Sequence, residues 1–503
     1  MASPVSITGP ATPFYPDTAP AVCKANILVS KFCTNAILCP GPLPNPWFAT
    51  DELKTEHSNT PLIPSKIVYI FPRMKIIRHT DATFAACLRE ATADSSLFDP
   101  EIEQRTRAIL QDVFVRGDAA LLDLTEKFDG AKLEADQLAV TQAEFMAASL
   151  KADDGLRDAV AEAEANIASF AKKSKRKDWS GKNSHGASVG EKFDAFQRVG
   201  VYVPGGTAPL VSTALMTITL AKAAGCQEIV VTTPCGKNGS INPAILFAAR
   251  AAGATEIYRL GGAQAVAALA YGTKTIHRVQ KIFGPGNAYV SMAKRLLFGR
   301  VAIDLLAGPS DVLILADDTA NPRFAAADML AQAEHGSGHE RVWLVTDSLK
   351  VIRAVEKEIA KQLPKLPRRE FIQHVLDRNV WLIHVKSIAD GVALTNQLAP
   401  EHCEVITRNA RKVSGGILTA GAIFLGNYSP TVLGDYVAGP SHVLPTDGAG
   451  ASFAGLTVDQ FQRRTSLVEY NKTSLKKAVK AVQKFADMEG LGAHGASAEA
   501  RLK

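Results

Sequence analysis

The apolar positions fall into two regimes. Between residues 100 and 175 they recur at helical spacing: Ile102, Ile109, Leu110 and Val113, then Leu121 and Leu122 beyond Gly117-Asp118. Residues 141–175 are rich in Ala and Glu with few breakers, which predicts one long helix. From Arg198 short apolar runs alternate with helix-like stretches. Residues 199–203, 228–232 and 256–260 read as strands, and 210–224, 241–252 and 263–271 as helices. A second series follows, with strands over 311–315, 341–345 and 381–385 and helices over 321–334 and 348–362. Val405-Ile406 and residues 422–425 add strands, and 474–487 a last helix. This alternation predicts an α/β fold, parallel sheets covered by helices on both faces, behind a helical N-terminal lead-in. Ligands are then expected beyond the carboxyl ends of the strands, where Pro204-Gly205-Gly206, Gly261-Gly262 and Gly284-Pro285-Gly286-Asn287 fall.

Composition narrows the class. A chain of 503 residues holds two or more domains, and 47% hydrophobic with 21% charged residues is globular. The net charge of +6 is spread along the chain, and the basic cluster at 172–177 reads as a solvated helix end, so no nucleic-acid partner is expected. No run of 18 apolar residues occurs, so no membrane-spanning helix is expected either. Seven scattered cysteines without a CxxC pair read as reduced and cytoplasmic. Residues 1–73 are rich in Pro and Thr and lack amphipathic periodicity. They are expected to be disordered or a start-site artefact, with the functional chain beginning near Met74. The alternative, a plastid transit peptide, is weakened by Asp51, Glu52 and Glu56.

Candidate chemistry concentrates between Pro400 and Pro445. Glu401-His402 can supply a general base, because histidine titrates near neutrality and the neighbouring carboxylate can activate a water. Either residue alone reads as a surface pair at a strand entry. Upstream, Gln332 and His335 in Gln332-Ala333-Glu334-His335 stand three apart near a helix end and share a face. With Asp435 they make a mixed N and O donor set suited to zinc or manganese. Judged alone, His335 reads as an exposed helix-end histidine. Gly284-Pro285-Gly286-Asn287 opens a helix whose free amides could receive a phosphate, but nothing matches GxGxxG.

Together these strings resemble the histidinol dehydrogenase family. The resemblance rests on Tyr202-Val203-Pro204-Gly205-Gly206, Gly261-Gly262-Ala263-Gln264-Ala265, Phe283-Gly284-Pro285-Gly286-Asn287-Ala288, Ala307-Gly308-Pro309-Ser310, Gln332-Ala333-Glu334-His335, Ala399-Pro400-Glu401-His402, Gly434-Asp435-Tyr436, His442-Val443-Leu444-Pro445-Thr446 and Glu489-Gly490-Leu491-Gly492-Ala493-His494. They occur in order over roughly residues 75–500.

The resemblance implies oxidation of L-histidinol to L-histidine through bound L-histidinal with two NAD, the end of histidine biosynthesis. It implies zinc, with manganese as the alternative metal, held by Gln332, His335, Asp435 and, from the other subunit of a homodimer, His494. His402 is the implied general base and Glu401 the group that activates water. Ser310 and Glu489 join the metal ligands and His402 as implied substrate contacts, and Tyr202, Gln264 and Asn287 are the implied NAD contacts. The implied fold has two incomplete Rossmann-like domains, one inserted in the other: 97–201 with 307–456, and 202–306 for NAD. A helical segment over 74–96 precedes them, and a tail domain over 457–503 reaches the partner subunit. A related zinc- and NAD-linked dehydrogenase of another amino alcohol or a sulfonate is the alternative. Glu489 favours histidinol.

Overall fold

The structure is a computed structural model and describes residues 74–91, 99–205 and 209–503. The expectations for residues 1–73, and Gly206 of the Pro204-Gly205-Gly206 cluster, lie outside the described residues. In chain order the strands are β1 (Lys75–Arg78), β2 (Trp179–Lys182), β3 (Ser188–Ala195), β4 (Arg198–Tyr202), β5 (Glu228–Thr233), β6 (Glu256–Arg259) and β7 (Lys281–Phe283). They continue with β8 (Ala302–Ile303), β9 (Asp311–Ala316), β10 (Arg341–Thr346), β11 (Val380–His384), β12 (His402–Ile406), β13 (Ala422–Leu425) and β14 (Gln462–Glu469).

Two parallel sheets form the α/β body. One has the order β1-β11-β10-β9-β12-β13, the other β6-β5-β4-β7-β8. In each, the first strand of the series (β9 or β4) is central, and the chain builds outward on one side before crossing to the other. This is the doubly wound order whose reversal point opens a ligand crevice. The strands alternate between two buried faces. Val312 and Ile314 pack with Ile406 beneath the helix Pro322–Ala333, while Leu313, Leu315, Cys403 and Val405 face the opposite layer. Local chemistry starts the helices where the pattern predicts. Asn321 caps the helix Pro322–Ala333 through Arg323 N at 3.0 Å, with proline in its first turn.

Three elements differ from the pattern. The stretch read as one helix over 141–175 breaks into Gln142–Lys151 and Asp154–Ser174, because Asp153 turns its carboxylate onto Leu156 N at 2.8 Å and caps a new start. The 74–96 segment, read as helical, opens with β1, whose Ile76-Ile77 pair extends against β11 before the helix Phe84–Ala91 begins. The periodicity did not mark the antiparallel sheet β14-β3-β2, which pairs residues far apart in sequence.

The helices between Asp154 and Ala252 share one core with β4 and β5, so the helical lead-in packs on the second sheet. Leu110, Val113, Leu121 and Leu124 likewise bury against Leu260, Val266 and Leu269. Among the described residues, no helix is long and apolar enough to cross a membrane, and Cys87, Cys226, Cys235 and Cys403 are free thiols.

Candidate active site

Glu401 and His402 do not sit at the carboxyl end of their sheet. His402 is the first residue of β12, in register with Val312, and Asp311, one residue before Val312, is the first of β9. The helix Pro322–Ala333 runs back from the far edge and delivers Gln332 and His335 to this same amino edge. The site of the first sheet thus lies opposite to where an open parallel sheet usually binds. The approach is tight. Ala399 adopts φ +46°, an uncommon conformation for a residue with a side chain, and turns the chain through Pro400 into the strand.

Asp311 frames the pair. Its Oδ1 accepts Glu401 N at 2.7 Å and its Oδ2 accepts Asp447 N at 3.2 Å, while its own N–H donates to Glu401 Oε2 at 3.1 Å. Its carbonyl lies 3.1 Å from His402 Nδ1. A carbonyl only accepts, so Nδ1 carries the proton and Nε2 is left as the basic atom. That Nε2 is 3.8 Å from Asp435 Oδ1, beyond hydrogen-bond range. Phe424 flanks the imidazole, ring centroids 6.1 Å apart. A Cβ on Gly434 would meet the Phe424 ring at 2.7 Å, so glycine is what lets the helix Thr431–Tyr436 lie close enough to bring in Asp435.

The electrostatics follow from burial. Desolvation pushes His402 down to about 4, against the attraction of Asp435, so the ring is neutral at neutral pH. Desolvation, reinforced by Asp311 and Asp435, raises Glu401 well above the usual carboxylate range, and Ser310 hydrogen-bonds its side chain. Glu401 is thereby moved toward the range where a carboxyl can both take and give a proton. Burial pushes Asp311 up to about 7. His335 and Asp435 both lie within electrostatic reach of His402 and of His442. The His442 ring is tied down, Nδ1 at 3.0 Å from Asp435 O and Nε2 at 3.2 Å from Thr213 Oγ1, which makes it a support.

The NAD candidates lie on the other sheet, at its carboxyl edge. Tyr202 ends β4, Gln264 is in the first turn of the helix Gly262–Tyr271, and Asn287 caps the helix Ala288–Leu297. Tyr202 OH accepts Gly262 N–H at 3.1 Å, and Asn287 Oδ1 accepts Tyr289 N and Val290 N, each at 3.1 Å. Tyr202 and Gln264 are buried, and Asn287 is exposed. Gly284 is clamped from below: Lys294 Nζ, ion-paired to Asp304, donates to its carbonyl at 2.9 Å, and its N–H donates to Asp304 Oδ2 at 2.7 Å.

Glu489 and His494 stand apart. Both are exposed, one closing the helix Lys472–Met488 and the other on Gly492–Ala500. No hydrogen bond or ion pair among the described residues joins them to Gln332, His335 or Asp435. The sequence reading missed Asp311, and it missed Asp129, whose buried Oδ2 has no partner and whose Oδ1 lies beside Gly261. Neither belongs to a motif with a recognisable spacing.

Residues 93–502 match the family model described as Histidinol dehydrogenase. The chain belongs to the histidinol dehydrogenase family. It is 45% identical over 404 residues to the histidinol dehydrogenase of Geobacillus kaustophilus, covering 80% of this chain and 95% of that one. Against that of Rhodopseudomonas palustris it is 46% identical over 419 residues, 83% and 95% of the two chains. The crystal structure of histidinol dehydrogenase from Elizabethkingia anophelis superposes with a TM-score of 0.81 at 35% identity, over 85% of this chain and 98% of that one.

Two groups that membership in the histidinol dehydrogenase family brings into question can be tested against the residues present. Among the described residues no three His, Cys, Asp or Glu side chains cluster to hold a metal. Gln332 is 3% exposed with its amide Nε2 unpartnered, and its amide oxygen would join His335 and Asp435 in an oxygen and nitrogen donor set. That set fits a metal such as zinc whose coordination is completed from outside the chain. For a dinucleotide, the unpartnered Oδ2 of Asp129 beside Gly261 fits a ribose hydroxyl, at the edge where a doubly wound sheet holds a nucleotide.

Proposed function

We propose that this chain oxidises L-histidinol to L-histidine by way of L-histidinal, with two NAD consumed per turnover, as the last reaction of histidine biosynthesis. The observation that carries the reading is the Nδ1–H tautomer of His402, held by the Asp311 carbonyl, which leaves a neutral Nε2 facing the space beside Asp435.

Zinc, with manganese as the alternative, would be held by Gln332, His335 and Asp435 together with His494 of a second copy, and would fix the substrate's imidazole and amine. NAD would lie at the carboxyl edge of the second sheet, against Tyr202, Gln264, Asn287 and Asp129, and accept a hydride in each step. His402 Nε2 takes the alcohol proton as the hydride leaves. Glu401, buried and with its proton affinity raised by burial, takes a proton from the water that adds to the aldehyde. Ser310 orients Glu401 and contacts substrate, and Glu489 of the second copy contacts it from the far side. Burial around Glu401 and His402 keeps bulk water from the aldehyde between the two oxidations. The second copy makes the working form a homodimer.

The test is turnover of purified protein with L-histidinol. Two NADH per histidine are expected, and no NADH would remove the assignment. His402→Asn is expected to lower kcat by about 100-fold or more with metal affinity kept, since general-base contributions are of that order. Loss of metal instead would show that the roles are divided wrongly.

A further inference from the structure

Three elements that carry site residues meet at one buried point beneath the site. On β12, His402 and Glu404 are two residues apart and share the sheet face covered by the helix Pro322–Ala333. On that helix Asp328 precedes Gln332 by four residues, one turn. In the helix Thr431–Tyr436, Thr431 precedes Asp435 by the same spacing.

Glu404 is 2% exposed, stands on β12 and is bonded to the helix Thr431–Tyr436. Its Oε1 accepts Thr431 N–H at 2.8 Å, and the Asp328 carboxyl lies within electrostatic reach of it. Oε2 has no hydrogen-bond partner. A proton on either carboxyl would let the two bond each other. Burial raises Glu404 well above the usual range and Asp328 to about 6, and no cation contributes to either. An apolar pair would fill this space at less cost, because a buried polar contact adds direction more than net stability. The direction here is the mutual setting of one strand and two helices.

We propose that Glu404 and Asp328 are positioning residues that hold the strand of His402, the helix of Gln332 and the helix of Asp435 at the separation where those side chains converge. This rests on the reading of Gln332, His335 and Asp435 as metal ligands.

The role needs an acceptor for Thr431 N–H and one hydrogen between the two side chains, not a charge. Glu404→Gln keeps both, since its amide oxygen can accept from Thr431 and its NH2 can donate to Asp328. Glu404→Leu loses both. Thr431→Pro removes the N–H together with the hydroxyl, at a first helical position where proline is tolerated and after Pro430, whose ψ of 152° is already extended.

The experiment titrates zinc into metal-stripped full-length protein against a chromophoric chelator, with the thermal midpoint of the stripped protein recorded in parallel. Supporting residues of this kind typically change metal affinity by about 10- to 100-fold. Glu404→Leu and Thr431→Pro are expected to weaken zinc by that factor, and Glu404→Gln to stay within about three-fold of the unmodified chain. Zinc affinity unchanged in Thr431→Pro, or lost equally in Glu404→Gln, overturns the proposal. A purely structural role would lower the midpoint while the folded protein still bound zinc normally, and Thr431→Pro remains decisive if Glu404→Leu does not fold. His335→Ala is the control on the underlying reading. Undiminished zinc binding there removes the ligand set and the proposal with it, whereas loss of zinc there beside normal binding in Thr431→Pro removes the positioning role alone.

Discussion

Asp311 and Glu401, ninety residues apart in sequence, hold each other in both directions. Glu401 N–H donates to the Asp311 carboxylate at 2.7 Å, and Asp311 N–H donates to the Glu401 carboxylate at 3.1 Å. The strand openings of β9 and β12 are thereby locked together, and the Asp311 carbonyl sets the His402 tautomer from the same residue.

Asp311→Asn should therefore damage the site without touching substrate. Both carboxylate oxygens accept N–H groups, so an amide must turn its NH2 against one of them, a loss of about 1–3 kcal/mol. A fall in kcat of roughly 10- to 100-fold is expected, with zinc content unchanged. Unchanged kcat would show that the lock is dispensable. The variant also has a pH signature. The folded pKa of Asp311 rises from 3.8 to about 7, so between those values the native state binds more protons than the unfolded chain. Stability from this group falls as pH climbs through that window, and Asp311→Asn should remove that slope from urea-unfolding midpoints measured at pH 4 to 8.

At the other sheet, Asp129→Asn should weaken NAD binding by about 10-fold or more, the value of a hydrogen bond to a charged acceptor. Burial pushes Asp129 up to about 6. The ionised form is the better acceptor, so affinity should hold above that pH and fall below it, and the variant should lose this dependence. Fluorescence titration with NAD from pH 5 to 8 measures both, and equal affinities across the series would place the ribose elsewhere.

Lys294→Met tests the clamp under Gly284. It leaves Asp304, whose side chain is wholly buried, without its cation, which costs about 3–5 kcal/mol. The variant should unfold at markedly lower denaturant and raise KM for NAD more than it lowers kcat. An unaltered midpoint would mean that the pair adds no net stability.

Glu489 and His494 give the sharpest test of the second copy. Chains carrying His494→Ala and His402→Asn, each inactive alone, are expected to regain activity when refolded together, because one composite site in the mixed dimer is intact. No recovery would place His494 in the site of its own subunit.

Much of the fold was legible in the sequence, because its signals are local. Apolar runs such as those of β5, β9 and β10 end at turn residues, and Gly225 and Gly253 close their helices in the left-handed conformation that only glycine adopts freely. The strings holding Glu401, His402, Gln332, His335 and Asp435 also stand in the sequence, since each spans a few residues, and the structure brings His335, His402 and Asp435 within electrostatic reach of one another.

What the sequence determined by itself was the α/β class, the run of strands and helices and the residues in the motifs. What the tertiary structure decided was direction and partnership. Tyr202, Gln264 and Asn287 stand at the carboxyl edge of their sheet, yet Glu401 and His402 gather at the amino edge of their own. No periodicity reveals that edge, because it depends on which strands pair and which way the helix of Gln332 returns. The partners of Glu401 and Glu404 are Asp311 and Asp328, each seventy residues or more away. Their carboxyls look like ordinary surface acids until burial removes the water and leaves backbone N–H groups and neighbouring side chains as the groups within reach.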